Sequence, residues 1–200
     1  MIHLYHKGTN ENTLLLLHGT GGDENDLREI GRIIDNEANI LSVRGSIQEG
    51  GMNRFFKRLS PGVFDLEDLE VRTKGLANFI NEASQKYGFD RKKVIAIGYS
   101  NGANIVASML FSHKNALSGA ILLRPMVPRR DMELVNNDDT RVFIAGGKYD
   151  SICPPKEAKE LAAYLESKNK EVKLEWINAD HRLTYEELLI IKEWYLQRFM

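Results

Sequence analysis

Cysteine is almost absent from this chain of 200 residues, in which Cys153 is the single example. A lone thiol cannot form a disulfide within the chain, and the first ten residues lack the apolar core of a secretory signal peptide. The longest aliphatic runs have about four residues, as in 14–17, whereas a membrane-spanning helix needs roughly 18. We therefore expect a cytoplasmic protein that does not insert into a membrane.

An excess of charge of either sign is also lacking. The 27 lysines and arginines nearly balance the 28 aspartates and glutamates, for a net charge of −1, so no overall field attracts a nucleic-acid backbone. With 42% hydrophobic and 28% charged residues, the composition is that of a folded globular protein and excludes disorder. At roughly 150 residues per domain, residues 1–200 are expected to form one domain.

Short apolar runs alternate with longer amphipathic stretches along the whole chain. This alternation predicts an α/β fold with repeated strand and helix crossings, and uninterrupted apolarity predicts central, mostly parallel strands with helices on both faces. An extra edge strand is expected at 2–6, where polar and apolar residues alternate. The predicted central strands are 13–18, 40–44, 94–99, 120–124, 142–145 and 172–177.

The segment 45–65 has neither pattern. It contains Gly50-Gly51 and Phe55-Phe56 without a regular period, so we expect a long, functional loop. Arg54 and Phe55 are candidates to line a substrate pocket. An aromatic core anchor and a salt-bridged arginine are the equally weighted alternative.

Ser100 lies in the pattern G-x-S-x-G, as GYSNG at 98–102. The apolar run VIAIGY precedes it, and 103–111 has helical spacing, so the serine is expected on a tight strand-to-helix turn that exposes its hydroxyl. Glycines on both sides leave room where a Cβ would clash. This context predicts a nucleophile rather than a serine that merely caps the helix.

A serine nucleophile needs a base, and the base needs an acid that holds its tautomer. His181 follows the last predicted strand at the carboxyl edge of the sheet, and a capping-box pattern, Thr184 to Glu187, anchors the chain after it. The alternative for His181 is an ordinary surface histidine. Asp150 follows the strand 142–145 at the same edge and completes the order Ser, Asp, His.

The glycine-rich sequence HGTGG at 18–22 follows the second predicted strand. A phosphate loop is disfavoured there, because no Lys-Ser or Lys-Thr follows and the next residues are acidic. We expect instead that the backbone N–H groups of Thr20 and Asn101 form an oxyanion hole. These assignments require no metal and no organic cofactor.

With these residues identified, the chain resembles the phospholipase/carboxylesterase family of α/β-hydrolases, the small lidless esterases that include acyl-protein thioesterases. The resemblance spans nearly the whole chain and is carried by LLLLHGTGGDENDL, GGMNRFFKRLSPGVFDLEDL, IGYSNGANIVASML, GGKYDSICPP and HRLTYEEL. It implies an α/β-hydrolase fold without a lid domain. It also implies the triad Ser100, Asp150 and His181, with Thr20 and Asn101 as the oxyanion residues.

The expected activity is hydrolysis of small-molecule carboxylic esters with small or medium acyl groups, through an acyl-enzyme on Ser100. Thioester or lactone hydrolysis by the same triad remains open, as does a ligand-binding module that keeps the fold without catalysis. A homodimer is a further expectation, with Phe55 as an exposed aromatic residue available to the interface.

Overall fold

The computed structural model describes residues 1–130, 139–168 and 170–200. In this part of the chain the strands are β1 (His3–His6), β2 (Thr13–Leu17), β3 (Asn39–Val43), β4 (Ile47–Glu49), β5 (Met52–Arg54), β6 (Arg58–Ser60), β7 (Val63–Phe64), β8 (Val94–Tyr99), β9 (Gly119–Leu123), β10 (Arg141–Gly147) and β11 (Glu171–Ile177). The α-helices are α1 (Arg28–Ile34), α2 (Leu66–Tyr87), α3 (Asn101–Ser112), α4 (Pro155–Glu166) and α5 (Tyr185–Phe199).

The larger strands form one central sheet in the order β1-β3-β2-β8-β9-β10-β11. All neighbouring pairs are parallel except β1 with β3, which pair antiparallel at the edge. The predicted mostly parallel sheet and the predicted edge strand are therefore both confirmed. Because the strands are parallel, the loops that leave their carboxyl ends collect at one edge of the sheet.

Helices cover both faces of the sheet, as predicted. Along β2, Leu15 and Leu17 join the core under α2, α3 and α4, whereas Leu14 and Leu16 join the core under α1 and α5. Every residue of β2 is buried, which explains why its sequence is continuously apolar instead of alternating. No lid domain is present among the described residues. None of the described helices combines the length and the hydrophobicity of a transmembrane segment.

The segment 45–65 is more regular than the sequence predicts, because it folds into two small hairpins, β4-β5 and β6-β7. In the first hairpin Glu49 pairs with Met52, and the two residues of the turn, Gly50 and Gly51, have φ of 57° and 81°. Positive φ at both positions suits a two-residue hairpin turn, which glycine forms without steric cost. Gly-Gly was thus a turn signal within a segment expected to be irregular.

The turn from β8 into α3 brings backbone against backbone. A Cβ on Gly102 would lie 2.1 Å from the Leu17 carbonyl oxygen at the end of β2, and a Cβ on Gly98 would lie 2.6 Å from the Gly102 carbonyl oxygen. Both distances are far below contact distance. The two glycines therefore let α3 begin directly beside β2, as the sequence pattern predicted.

We expect Gly102→Ala to lower the free energy of unfolding by roughly 3 kcal/mol or more, because neither backbone can move aside without displacing α3 from the sheet. Gly75→Ala is the matched control: Gly75 lies within α2 with open space around its Cα, so alanine should stabilise by roughly 0.5–1 kcal/mol. Urea denaturation of both variants measures the difference. Equal stabilities would contradict the packing argument.

Candidate active site

Ser100 lies at the sharp turn between β8 and α3, with φ 51° and ψ −110°. This conformation is unfavourable for a residue with a Cβ, and it is held by two backbone hydrogen bonds. The Ser100 N–H donates to the Leu123 carbonyl at 2.8 Å, and the Ser100 carbonyl accepts from the Asn104 N–H at 3.0 Å. The serine is thereby fixed at the carboxyl edge of the sheet and at the N-terminus of α3.

His181 and Asp150 meet Ser100 at this edge. The His181 Nε2 lies 3.1 Å from the Ser100 Oγ, and its Nδ1 lies 2.8 Å from Asp150 Oδ2. The other carboxylate oxygen, Asp150 Oδ1, accepts from the N–H groups of Ile152 and Cys153, both at 2.8 Å. The structure thus brings the three predicted residues into one chain of hydrogen bonds, with the carboxylate buried and oriented by its own loop.

A buried ion pair holds the chain on either side of His181. The Arg124 guanidinium, at the end of β9, donates to both carboxylate oxygens of Glu187 at 2.9 and 2.7 Å, and neither side chain is exposed. The same guanidinium donates to the Asp180 carbonyl at 3.0 Å and to the Arg182 carbonyl at 2.7 Å. Arg124 therefore binds the residues immediately before and after His181, a role that the sequence did not reveal.

Glu187 has a second function in the same loop. Its carboxylate accepts from the Thr184 N–H at 3.0 Å, while its own N–H donates to the Thr184 hydroxyl at 3.3 Å, which completes the predicted capping box. The start of α5 and the His181 loop therefore share one carboxylate.

Tyr99, the residue before Ser100, supports His181 from the sheet. Its hydroxyl donates to the His181 carbonyl at 3.0 Å, and the two rings lie 5.3 Å apart. Burial raises the pKa of Tyr99, so the phenol remains a hydrogen-bond donor. Tyr99 occupies a variable position of the G-x-S-x-G pattern, so the pattern does not predict its role.

Thr20 and Asn101, the predicted oxyanion residues, line one cavity together with Ser100. Their side chains have contacts that the sequence did not predict. The Asn101 Oδ1 accepts from the Phe55 N–H, and the Thr20 Oγ1 accepts from the Arg54 Nη1, both at 2.7 Å. Each predicted oxyanion residue is therefore tied to the segment that carries β4 to β7.

His18 adds a third tie to that segment. Its Nε2 accepts from the Gly45 N–H at 2.9 Å, so Nδ1 carries the proton that is donated to the Gly19 carbonyl at 2.6 Å. Burial is the largest cause that lowers the pKa of His18 below 6.5, against smaller opposing effects of the Gly19 hydrogen bond and nearby acidic residues. The neutral imidazole of His18 thus connects the turn after β2 with the start of the segment 45–65.

The cavity beside Ser100 has a volume of about 430 Å³. Arg54 lines it, as expected, but Phe55 does not. The prediction of Phe55 as a pocket residue, and as an exposed residue for a dimer, is wrong because its side chain is only 2% exposed and packs against the His18 ring at 4.8 Å. Its N–H donates to the Asn101 Oδ1, and its ring lies in the core that is covered by α2, α3 and α4. The alternative of a core anchor and a salt-bridged arginine fits, since Arg54 pairs with Glu49 at 3.3 Å.

Cys153 lies close to the same centre. Its sulfur, an Asp150 oxygen and a His181 nitrogen all lie within 4.8 Å of one another, a set of groups that can in principle bind a metal. Burial, with a smaller effect of the Asp150 charge, raises the pKa of Cys153 to about 12. The thiol therefore stays protonated, whereas a nucleophile or metal ligand would be a thiolate.

Comparison with known proteins agrees with this architecture. The model of the phospholipase/carboxylesterase family matches residues 5–197. The chain belongs to this family. Among its relatives, the putative hydrolase MhqD of Bacillus subtilis is 53% identical over 195 residues, which cover 98% of each chain.

Solved structures of other proteins are similar along almost the entire chain. The carboxylesterase of Bacillus cereus is 52% identical with a TM-score of 0.96, over 98% of this chain and 94% of that one. YahD, whose structure was determined with malic acid, is 35% identical with a TM-score of 0.93, over 98% of both chains. The predicted α/β-hydrolase fold and family are therefore confirmed, and a carboxylesterase-type hydrolase is supported.

Replacing Arg124 by Gln should lower the free energy of unfolding by about 3–5 kcal/mol, because Glu187 would remain as a buried charge without its partner. The control is Arg32→Gln, which removes a pair with Glu29 whose side chains are 50% and 77% exposed, and should cost less than about 1 kcal/mol. Chemical denaturation at neutral pH measures both. Similar small losses in the two variants would show that the buried pair does not hold the loop.

The lowered pKa of His18 predicts a loss of stability in acid. Below about pH 6.5 the His18 imidazole is protonated in the unfolded chain but remains neutral in the folded protein. The free energy of unfolding should therefore decrease as the pH is lowered, until the pH falls below the pKa of His18 in the folded state. In His18→Gln this contribution is absent, and the decrease between pH 7 and pH 5 should be shallower. Urea titrations across that range test the slope, and identical slopes would contradict a neutral, buried His18.

Proposed function

We propose that this family member is a serine carboxylesterase that forms an acyl-enzyme on Ser100. The observation that carries the proposal is the continuous chain from the Ser100 Oγ through the His181 imidazole to the Asp150 carboxylate, with links of 3.1 and 2.8 Å. A hydroxyl so placed can transfer its proton to the imidazole as it attacks a carbonyl carbon.

In the first half of the reaction His181 takes the proton of Ser100, and the serine oxygen bonds to the ester carbonyl. The resulting oxyanion would face the N-terminus of α3 and the backbone N–H groups of Thr20 and Asn101, where partial positive charge is already oriented. When the intermediate collapses, His181 gives its proton to the departing alcohol. Water then repeats the sequence on the acyl-enzyme and releases the acid and free Ser100.

Asp150 serves this cycle by holding the proton of His181 on Nδ1, which leaves Nε2 free to accept from Ser100. Two backbone N–H groups orient the carboxylate, and Arg124 fixes the backbone of the histidine loop. The imidazole is therefore aligned before substrate binds, which lowers the cost of reaching the transition state.

The cavity suits esters of small molecules with small or medium acyl groups. Its apolar wall includes Phe64, Met126 and Ile152, and its volume of about 430 Å³ is at the lower end of the usual range for ligand sites. The carboxylesterase from B. cereus supports oxygen esters as the first substrates to examine. Since the YahD structure contains malic acid, acidic esters belong in the same panel. We further propose that the enzyme acts in the cytoplasm.

The decisive experiment compares wild type with Ser100→Ala on 4-nitrophenyl esters from acetyl to decanoyl, together with matched thioesters. We expect Ser100→Ala to lower kcat on the order of 10⁶-fold, because it removes the oxygen on which the acyl-enzyme forms. Ser167→Ala, at the exposed end of α4, is the control and should retain wild-type turnover.

A fluorophosphonate probe, which reacts with activated serines, should label wild type and not Ser100→Ala. Undiminished hydrolysis by purified Ser100→Ala would refute the serine mechanism. Absence of both hydrolysis and labelling in folded wild type would favour a ligand-binding module. A preference for the sulfur esters would replace carboxylesterase by thioesterase as the function.

A further inference from the structure

The cavity beside Ser100 carries positive charge that the proposed ester chemistry does not use. Of the described residues that line it, the charged ones are Arg54, from β5, and Arg58, from β6. A surface arginine without a binding role would be solvated, whereas the Arg54 side chain is only 4% exposed. A buried guanidinium is costly unless its donors are used.

Arg54 is held in a fixed position with donors to spare. Its Nη1 donates to the Thr20 hydroxyl at 2.7 Å, its Nε approaches the Phe56 carbonyl and Glu49 at 3.3 Å, and its planar group lies 5.9 Å above the Phe56 ring. Within the described part of the chain, no acceptor is hydrogen bonded to Nη2. A guanidinium fixed on three sides keeps one terminal nitrogen for a ligand.

Arg58 lies beside it and shares the same acidic partner. The Arg58 Nε donates to Glu49 Oε1 at 2.7 Å, while the other Glu49 oxygen approaches Arg54. No acceptor among the described residues is hydrogen bonded to the two terminal nitrogens of Arg58, whose side chain is 26% exposed. Two positive groups thus share one carboxylate, which leaves about one unit of positive charge at the cavity wall.

The electrostatics of Arg54 agree with this imbalance. Burial is the main cause that lowers its pKa, and the charge of Arg58 lowers it further, while Glu49 only partly compensates. A bound anion would supply the missing negative charge and the missing acceptors together. Planar guanidinium groups bind carboxylates through paired hydrogen bonds, which are stronger than those between neutral groups.

We propose that the substrate is an ester that also carries a carboxylate, which the paired guanidinium groups of Arg54 and Arg58 bind while Ser100 attacks the ester carbonyl. This inference rests on the proposed esterase function and names its substrate class. A single excess charge matches a monoanionic carboxylate better than a phosphate dianion. The apolar side chains of Phe64 and Met126 in the same wall suit a short aliphatic spacer between the two groups.

The test compares two substrates that differ only in charge, mono-4-nitrophenyl adipate and its primary amide, with the uncatalysed rates subtracted. Wild type should show a kcat/KM at least about tenfold higher for the carboxylate, the range expected for charge-assisted hydrogen bonds. Arg58→Gln should bring this ratio close to one. Arg58→Lys, which keeps the positive charge but not the planar guanidinium group, should give an intermediate ratio. Arg32→Gln, on α1 and paired with Glu29, should keep the wild-type ratio.

A binding experiment separates this inference from the esterase function. In Ser100→Ala, calorimetry should show mono-methyl adipate binding at least about tenfold more tightly than its amide, and Arg58→Gln should abolish the difference. If wild type hydrolyses both substrates equally, the proposed function holds and the carboxylate site is refuted. If no ester is hydrolysed but the binding preference appears, the site holds and the esterase fails. Tighter binding of the phosphonate analogue than of the carboxylate would overturn the assignment to carboxylates.

Discussion

The buried pair of Arg124 and Glu187 is the interaction on which the geometry of the active site depends. Asp150 follows β10, Ser100 follows β8, and both are placed by strands that the sheet holds firmly. His181 follows the edge strand β11 and lies in the connection between β11 and α5. Arg124 reaches this connection from the end of β9 and binds the carbonyl groups on both sides of the histidine. The connection that carries His181 is thereby attached to the central strand β9.

The free-energy cost of burying the Arg124–Glu187 pair explains the additional hydrogen bonds that both side chains make. A fully buried carboxylate and guanidinium lose their hydration, and that loss is recovered only when every donor and acceptor is used. Glu187 uses its oxygens for Arg124 and for the Thr184 N–H at the start of α5. Arg124 uses its remaining donors for backbone carbonyls. The helix cap, the ion pair and the histidine loop are consequently one cooperative unit.

Sequence patterns predict Ser100, Asp150 and His181 because each follows a predicted strand at the same edge of the sheet. The order of a serine, an aspartate and a histidine along the chain then assigns their roles. The same patterns do not predict the role of Arg124, because it binds residues 56 to 63 positions away in the sequence. The local sequence of β9 does not indicate which residues those partners are. The prediction for Phe55 is wrong for a related reason. Within 45–65 no hydrophobic period distinguishes a buried from an exposed side chain, and the residues that contact Phe55, His18 and Asn101, are distant in sequence. Local patterns predict elements, whereas long-range polar contacts decide what a loop residue does.

The segment 45–65 is attached unevenly to the rest of the molecule. Its first part is joined to the site through Gly45, Arg54 and Phe55, which contact His18, Thr20 and Asn101. The second hairpin, β6-β7, has Leu59 and Val63 at 73% and 50% exposure. Substitutions in the first part would disturb the residues around Ser100. Substitutions in the second hairpin, which lines one wall of the cavity, would have a smaller effect on the residues around Ser100. Among relatives, divergence in substrate preference should therefore accumulate in β6-β7, while the contacts of β5 with the residues around Ser100 stay the same.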